Sequence, residues 1–401
     1  MRICRAFIVV CLLAILWQTI AMESALAQEQ TASFVGSLGR FAKPGQRQAL
    51  PGKFLRKQIQ DSTGFPLRTI GHIETSGRKL GSCTGTLVGD RYVLTAAHCV
   101  YNLETKMWIN DLKFIPGQTG QNIMTFDPVD WERVYVPQRY LEFAQKSKAP
   151  EAYAYDYAII VLKDKVGERL GWLGFSTVDA QVNAYSAVSI SGYPGDKDRG
   201  TLWDVNCPME RRGSQWQFQC DSFHGMSGSA LRVPKADNSG SIIVGVLDWG
   251  QEDKPGMENY NGGVAITSEV FAQLKNWLND QADSTTAVLE NNLPETVEIY
   301  VRNSCPEATK AKVAVRYLSA ENQWIQSAQW VQVEAGETIK LARTFPGIEY
   351  YFFTAKADGG LLWKGDSLAY IQGRPEYMLK VDLGEDVFAK GIEVRDLTCK
   401  P

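Results

Sequence analysis

The stretch Leu94-Thr95-Ala96-Ala97-His98-Cys99 places a histidine directly after a short apolar run and beside a cysteine. The chain has only 3 histidines in 401 residues, so the choice of a histidine general base is narrow. A second stretch, Tyr155-Asp156-Tyr157-Ala158-Ile159-Ile160-Val161-Leu162, sets an acid at the head of an apolar strand. A third, Gly225-Met226-Ser227-Gly228-Ser229-Ala230, surrounds a serine with small residues. An imidazole, a carboxylate and a hydroxyl are the groups that nucleophilic catalysis requires.

Each of these residues has a specific chemical reason to be chosen. An acid that heads a buried strand can hold an imidazole by one ring nitrogen and so fix its tautomer. Asp127 and Asp130 are nearby alternatives, but only Asp156 is followed by an uninterrupted apolar strand. Glycines beside the serine allow a turn that exposes its hydroxyl and aims backbone N–H groups at one point. The sequence predicts His98, Asp156 and Ser227 as the catalytic residues. It predicts the N–H groups of Gly225 and Ser227 as the oxyanion hole.

The order histidine, acid, serine and the strings around these residues resemble the chymotrypsin superfamily of serine peptidases. The segments Gly192-Tyr193-Pro194-Gly195-Asp196-Lys197 and Asn261-Gly262-Gly263-Val264-Ala265-Ile266 resemble its bacterial branch, which includes the glutamyl endopeptidases. The similarity runs from about Arg56 to Leu278. It implies an all-β chymotrypsin fold, with two six-stranded antiparallel β-barrels and a C-terminal helix. It also implies an endopeptidase that works through an acyl-enzyme intermediate, needs no cofactor or metal, and acts on protein or peptide substrates.

The residue preference at the cleavage site is open between two interpretations. Asp221 stands six residues before Ser227, where trypsins carry the acid that binds Arg or Lys, which predicts cleavage after basic residues. Glutamyl endopeptidases instead hold a carboxylate with a histidine and a threonine, and at those positions this chain has Leu247 and Ser222. His224 could supply positive charge from the other rim. The predicted substrate-binding residues are Asp221, Ser222, His224, Leu247, Asp248, Trp249 and Gly250.

Two residues depart from the trypsin pattern. Met226 occupies the place where vertebrate trypsins have an acid that pairs with a new N-terminal amine, so we expect that activation switch to be absent. Asp248 stands where trypsins have a serine, and a second carboxylate beside Asp156 would repel it.

The first 27 residues have the pattern of a secretory signal peptide. Arg2 and Arg5 precede the apolar run Ala6 to Trp17, and Ala25-Leu26-Ala27 offers a small-x-small cleavage site. The apolar run is shorter than the roughly 20 residues that a spanning helix needs. We therefore expect a secreted or periplasmic bacterial protein with no membrane span after cleavage, and the net charge of -3 excludes a typical nucleic-acid binder.

Six cysteines remain after the signal peptide, and an even number in an exported chain indicates disulfides. A zinc site is the alternative, but the chain has no cluster of closely spaced Cys and His residues. We expect one bridge beside the catalytic histidine, one across a hairpin before the serine, and one between the ends of the C-terminal part. The pairs are Cys83 with Cys99, Cys207 with Cys220, and Cys305 with Cys399.

Composition and periodicity divide the rest of the chain. Residues 28–55 are polar and predict a propeptide or flexible arm, and 56–280 the peptidase domain. Apolar residues at helical spacing predict a helix from Ser268, as N-cap, to about Leu278. Residues 281–295 are polar and predict a linker. In 296–401, alternation such as Val297, Ile299, Val301 predicts a small β-sandwich-like module. Our hypothesis is that this module binds a surface, a polymer or a protein substrate.

Two function classes follow from these observations. The first is a secreted serine endopeptidase. The alternative is a catalytically inactive peptidase homologue that acts as an extracellular binding or scaffold protein. The presence of all three catalytic residues and the oxyanion glycine favours the first.

Overall fold

The computed structural model describes residues 54–75, 82–102, 105–145, 149–178, 184–235, 237–249, 260–291, 296–319, 323–344 and 348–399. The expected signal peptide, nearly all of the expected arm, and Gly250 lie outside these ranges. Side chains are not described for 144–150, 186 and 249. Across the described ranges, every helix lacks the length or the apolar content that a bilayer crossing needs.

Strands dominate the described chain. In the first part they are β1 (Lys57–Ile59), β2 (Ile70–Thr75), β3 (Cys83–Leu87), β4 (Tyr92–Thr95), β5 (Tyr101–Asn102), β6 (Met107–Trp108), β7 (Leu112–Pro116), β8 (Gln118–Gly120), β9 (Ile123–Met124), β10 (Trp131–Pro137), β11 (Ala158–Leu162), β12 (Ala184–Gly192), β13 (Leu202–Arg212), β14 (Gln215–Phe218), β15 (Ala230–Pro234), β16 (Ser241–Trp249), β17 (Asn261–Ala265) and β18 (Thr286–Glu290). They continue as β19 (Val297–Asn303), β20 (Ala311–Leu318), β21 (Trp324–Gln326), β22 (Val331–Val333), β23 (Thr338–Thr344), β24 (Tyr350–Ala357), β25 (Leu362–Trp363), β26 (Ser367–Ile371), β27 (Arg374–Asp382) and β28 (Ile392–Leu397). The helices are α1 (Gln138–Gln145), α2 (Ala149–Ala152), α3 (Gly167–Leu170), α4 (Ser268–Trp277) and α5 (Glu385–Lys390).

One sheet closes into a six-stranded barrel. Its order is β13-β12-β15-β16-β17-β14, and β14 pairs back onto β13. The first strand, β1, pairs antiparallel with the start of β13, with Gln58 opposite Trp203. Apolar side chains such as Val188, Ile190 and Leu231 fill the interior. This closed barrel agrees with the all-β fold class that the sequence predicts.

The other large sheet of the peptidase part has the order β18-β10-β11-β4-β3-β2-β7 and remains open. The sequence predicted two six-stranded barrels, and the described strands form one closed barrel and this half-barrel. Strand β18 pairs with β10 along Arg133–Pro137, and β7 contacts the chain just before β10 through the bridge between Phe114 and Val129. A large apolar cluster packs on this sheet, and all residues of β11 are buried.

Strand β18 also changes the interpretation of residues 281–295 as a linker. Thr286–Glu290 pairs with β10 residue by residue, from Arg133 opposite Glu290 to Pro137 opposite Thr286. This part of the segment is therefore an edge strand of the peptidase sheet. Residues 292–295 lie outside the described ranges.

The predicted helix is α4, and its cap differs by one residue from the prediction. Thr267, not Ser268, has the extended backbone of an N-cap, and its side-chain oxygen accepts the N–H of Val270 at 3.3 Å. Ser268 is already helical. Val270, Leu274 and Trp277 are buried and pack on the open sheet, which is the apolar face that the periodicity predicts.

Residues 296–399 form two further sheets around a separate apolar core. One has the order β23-β19-β28, in which β19 and β28 are parallel; the other follows the path β21-β20-β24-β27-β26. This agrees with the expected β-rich module, and Cys305 and Cys399 are joined as expected. A buried acid, Glu298 of β19, contacts Lys113 of β7 at 4.0 Å and so links the module to the peptidase part.

Residues 53–233 and 241–401 belong to one compact unit. Within the short segment Pro234–Gly240, the Lys235 N–H donates to the Gly240 carbonyl at 2.9 Å.

Candidate active site

The imidazole of His98 and the carboxylate of Asp156 are in direct contact. His98 Nδ1 lies 2.7 Å from Asp156 Oδ2, and the His98 backbone N–H donates to Asp156 Oδ1 at 2.9 Å. Asp156 is almost fully buried, whereas the His98 side chain is 23% exposed. A carboxylate oxygen accepts hydrogen bonds, so this contact suits the tautomer of His98 in which Nδ1 is the donor and Nε2 has the lone pair.

The local chain explains this arrangement. Strands β4 and β11 are antiparallel neighbours, with Thr95 opposite Ala158, so the residues after β4 meet the residues before β11. His98 lies in the short 3₁₀ helix Ala97–Cys99, and the Cys83–Cys99 disulfide joins this helix to β3. The two oxygens of Asp156 contact two nitrogens of His98, the backbone N and the ring Nδ1, and these two contacts fix the orientation of the ring.

The Ser227 turn is built on two glycines with positive φ. Gly225 has φ +98° and Gly228 has φ +85°, a region that side chains rarely adopt. Space is a second constraint: a Cβ at Gly225 would collide with the Tyr193 carbonyl, and one at Gly228 with the Thr84 carbonyl. The turn therefore requires glycine at both positions.

Thr84 attaches the serine turn to the strand that follows the disulfide. Its N–H donates to the Ser227 carbonyl at 2.8 Å, and its hydroxyl donates to the Gly225 carbonyl at 2.9 Å. The same hydroxyl accepts the Tyr193 N–H at 3.0 Å. The Ser227 carbonyl also lies 3.7 Å from Cys99 Sγ. The structure thus brings the backbones of the serine turn and the histidine helix together, and Thr84 is a residue that sequence reasoning missed.

The predicted pocket residues differ in how far they are buried. Asp221 and Ser222 are half-buried and His224 is exposed, with its ring edge-on to Phe223. Leu247 is buried in the barrel core, so its side chain contributes apolar packing.

The remaining pocket predictions concern the chain after Leu247. Asp248 is buried and lies on β16. The backbone of Trp249 pairs opposite Gly262, while its side chain and Gly250 lie outside the described part.

Met226 is an apolar core residue, and its side chain is fully buried with those of Leu231 and Cys220.

Sequence reasoning also missed a cation beside the pocket. The guanidinium of Arg56 donates through Nε to Asp221 Oδ2 at 2.9 Å and through both terminal nitrogens to the Asp196 carboxylate at 2.7 Å each. Burial acts to lower the pKa of Arg56, but the hydrogen bonds to Asp196 and Asp221 outweigh it and raise that pKa. The same arginine lowers the pKa of Asp196.

The last disulfide prediction, Cys207 with Cys220, is confirmed. Cys207 is bonded to Cys220, which braces the chain just before Asp221. Cys83, His98 and Cys99 have ligand-type atoms within 4.8 Å of one another, but both sulfurs belong to the disulfide and are not free thiolates.

Comparison with known proteins gives consistent results. The family model described as Trypsin matches residues 65–278. A glutamyl endopeptidase of Bacillus licheniformis is 31% identical over 228 residues, which is 56% of this chain and 67% of that protein. An extracellular metalloprotease of Bacillus subtilis is 26% identical over 238 residues, 58% of this chain and 71% of that protein. A solved structure of a Glu endopeptidase in complex with MPD is 26% identical and covers 57% of this chain and 99% of its own, with a TM-score of 0.48.

Proposed function

The chain belongs to the trypsin family, and on that premise we propose that it is an exported serine endopeptidase with His98, Asp156 and Ser227 as its catalytic residues. The observation that carries the proposal is the two-point contact of Asp156 with His98, because it leaves Nε2 as a base. A trypsin-like fold alone would also suit an inactive homologue. A buried carboxylate that accepts from the Nδ1–H of an imidazole is the arrangement that orients a general base, and it supports the active enzyme over the inactive homologue.

The proposed mechanism uses these three side chains and two backbone N–H groups. Ser227 Oγ attacks the carbonyl carbon of the substrate while its proton passes to His98 Nε2, and the resulting imidazolium is stabilised by Asp156. The N–H groups of Gly225 and Ser227 donate to the oxyanion, each contributing about 3 kcal/mol in the transition state. Nε2 then returns the proton to the leaving amine, and the acyl-enzyme remains. A water molecule that loses its proton to Nε2 hydrolyses this ester and restores Ser227.

Export is the second part of the proposal. Three disulfides fit an oxidising compartment and are rare in proteins of a reducing cytosol. The signal-peptide pattern of residues 1–27 gives the route, with residues 28–55 as an arm or propeptide to be trimmed.

Activation would differ from that of vertebrate trypsins. An acid at position 226 would be needed to pair with a new N-terminal amine, but Met226 is packed among apolar side chains. We therefore expect activity in chains with different N-terminal residues ahead of position 54. Dependence on one freed Ile or Val amine would contradict this.

Titration with a serine-directed phosphonate tests the central proposal. We expect one equivalent of label on the wild-type chain and none on Ser227→Ala, together with cleavage of a peptide library by the wild type alone. A matched control is Ser229→Ala, because Ser229 is buried two residues away on the same turn. Failure of the wild type to react would favour the inactive homologue that acts by binding.

A further inference from the structure

Arg56 connects two loops beside the candidate specificity pocket. One is the loop of Asp196, which follows β12; the other carries Asp221 and leads into the serine turn. The two loops are also joined directly, since the Gly195 N–H donates to the His224 carbonyl at 2.7 Å. Arg56 reaches them from a segment 140 residues before Asp196 and 165 before Asp221.

The geometry of the Arg56 contact is that of a strong, directed ion pair. Three of the five N–H donors of the guanidinium are used, two in a parallel fork on Asp196 and one on Asp221. Such charge-assisted, bidentate pairs are stronger than neutral hydrogen bonds. The Arg56 side chain is only 4% exposed, so water screens it little.

The backbone around Arg56 holds the same wall. The Asp221 N–H donates to the Phe54 carbonyl at 3.1 Å, and Phe54 forms a parallel bridge with Cys220. Cys220 is in turn bonded to Cys207. The side chain of Asp221 is therefore positioned by contacts on both sides.

A substrate cation would have to compete with Arg56 for Asp221. In trypsins the corresponding acid is available to pair with the Arg or Lys of the substrate. Here one of its oxygens already accepts from a guanidinium at 2.9 Å. Binding a second cation within a few ångströms of Arg56 would add like-charge repulsion to the loss of hydration.

Resting on the proposed function, we propose that Arg56 is a specificity-determining residue: it engages Asp221 and thereby makes the pocket select substrates without a positive charge at the residue before the cleaved bond. The disfavoured substrate class is thus peptides with Arg or Lys at that position. The acid that the sequence offers for basic substrates is used within the protein.

The experiment compares peptides that differ only at that residue, with Arg, Lys, Leu or Gln. For each variant, kcat/KM is measured per active site counted with the phosphonate, so that loss of catalysis is separated from change of selectivity. The variants are Arg56→Met, Arg56→Met/Asp221→Asn and a control, Arg212→Met. Arg212 is an exposed arginine on β13 that pairs with Glu210 at 3.2 Å.

The wild type is expected to cleave after Leu or Gln in preference to Arg and Lys. Arg56→Met should raise the ratio of kcat/KM for basic over uncharged peptides by about tenfold or more, the worth of one charged hydrogen bond. Adding Asp221→Asn should remove that gain, and Arg212→Met should leave the ratio as in the wild type. A wild type that prefers Arg or Lys, or a labelled Arg56→Met with an unchanged ratio, would overturn the inference.

If Arg56→Met does not fold, Asp221→Asn alone gives a second test. This variant keeps the hydrogen bonds between Arg56 and Asp196. Because Arg56 already occupies the acid, the ratio for basic over uncharged peptides should change by less than about threefold. A fall of about a hundredfold would mean that Asp221 binds the substrate's cation directly. A wild type that takes no phosphonate would instead refute the proposed function.

Discussion

Replacing Glu298 by glutamine should weaken the folded state strongly near neutral pH. The side chain is 1% exposed and accepts from the Tyr300 hydroxyl at 2.8 Å and from Lys340 at 3.3 Å, in addition to Arg343. Glutamine keeps the shape of the side chain but removes its charge, so the neighbouring cations lose their common partner.

The size of the effect follows from the pKa of this acid. Burial alone would raise the pKa of Glu298, but the charges of Lys113 and Lys340 and the hydrogen bonds from Arg343 and Tyr300 lower it from 4.5 to about 2. A drop of this size corresponds to about 3 kcal/mol of stability. Because the folded-state pKa is the lower one, this stability is present above pH 4.5 and is lost as the pH falls toward 2.

Urea titrations followed by tryptophan fluorescence, at several pH values between about 7 and 2, measure this contribution. The free energy of unfolding of Glu298→Gln should lie about 3 kcal/mol below that of the wild type at pH 7, and the gap should close as the pH approaches 2. Glu290→Gln is the control: Glu290 pairs with Arg133 at 2.7 Å but is 47% exposed, so about 1 kcal/mol or less is expected. Equal losses in both variants, or a gap independent of pH, would refute the reasoning.

Three other predictions test separate parts of the molecule. Asp156→Asn should lower kcat by about a thousandfold to ten-thousandfold, because an amide in place of the carboxylate donates to the imidazole and reverses its tautomer. Kinetics without a burst and an unchanged thermal midpoint are the expected result. Activity within about tenfold of the wild type would contradict this prediction. His72 is buried and its pKa is lowered by burial, so the wild type should lose stability as the pH falls below about 6.5, and His72→Phe should lose that slope in urea titrations. Opening the Cys305–Cys399 bridge, which spans 94 residues, with a Cys305→Ser/Cys399→Ser pair should cost about 4 kcal/mol by calorimetry; a change under about 1 kcal/mol would show that the bridge constrains little.

Local sequence signals were enough to predict much of the site. An acid heading the apolar run of β11 and a histidine closing β4 could be expected to meet because the two strands pair. The catalytic roles stay predictions, but the contact of His98 with Asp156 is in the structure. The glycines at 225 and 228 also had a local reason, since their turn requires positive φ.

Other features had no local signal. Arg56 is an ordinary charged residue in its own segment, and its role depends on two acids more than a hundred positions away. Strand β18 is an edge strand with Ala287 as its one fully buried residue, so the alternation that identifies half-buried strands is weak. Both depend on how distant segments are brought together, which neither periodicity nor composition encodes.

The pairing of β18 with β10 determines where this protein can be divided. A chain that ended at residue 280 would contain the family match but would leave Arg133–Pro137 with unpaired backbone donors and acceptors. Such an open edge is a template for intermolecular strand pairing and aggregation. We therefore expect a shortened chain that keeps β18, through Glu290, to aggregate less than one that ends at residue 280.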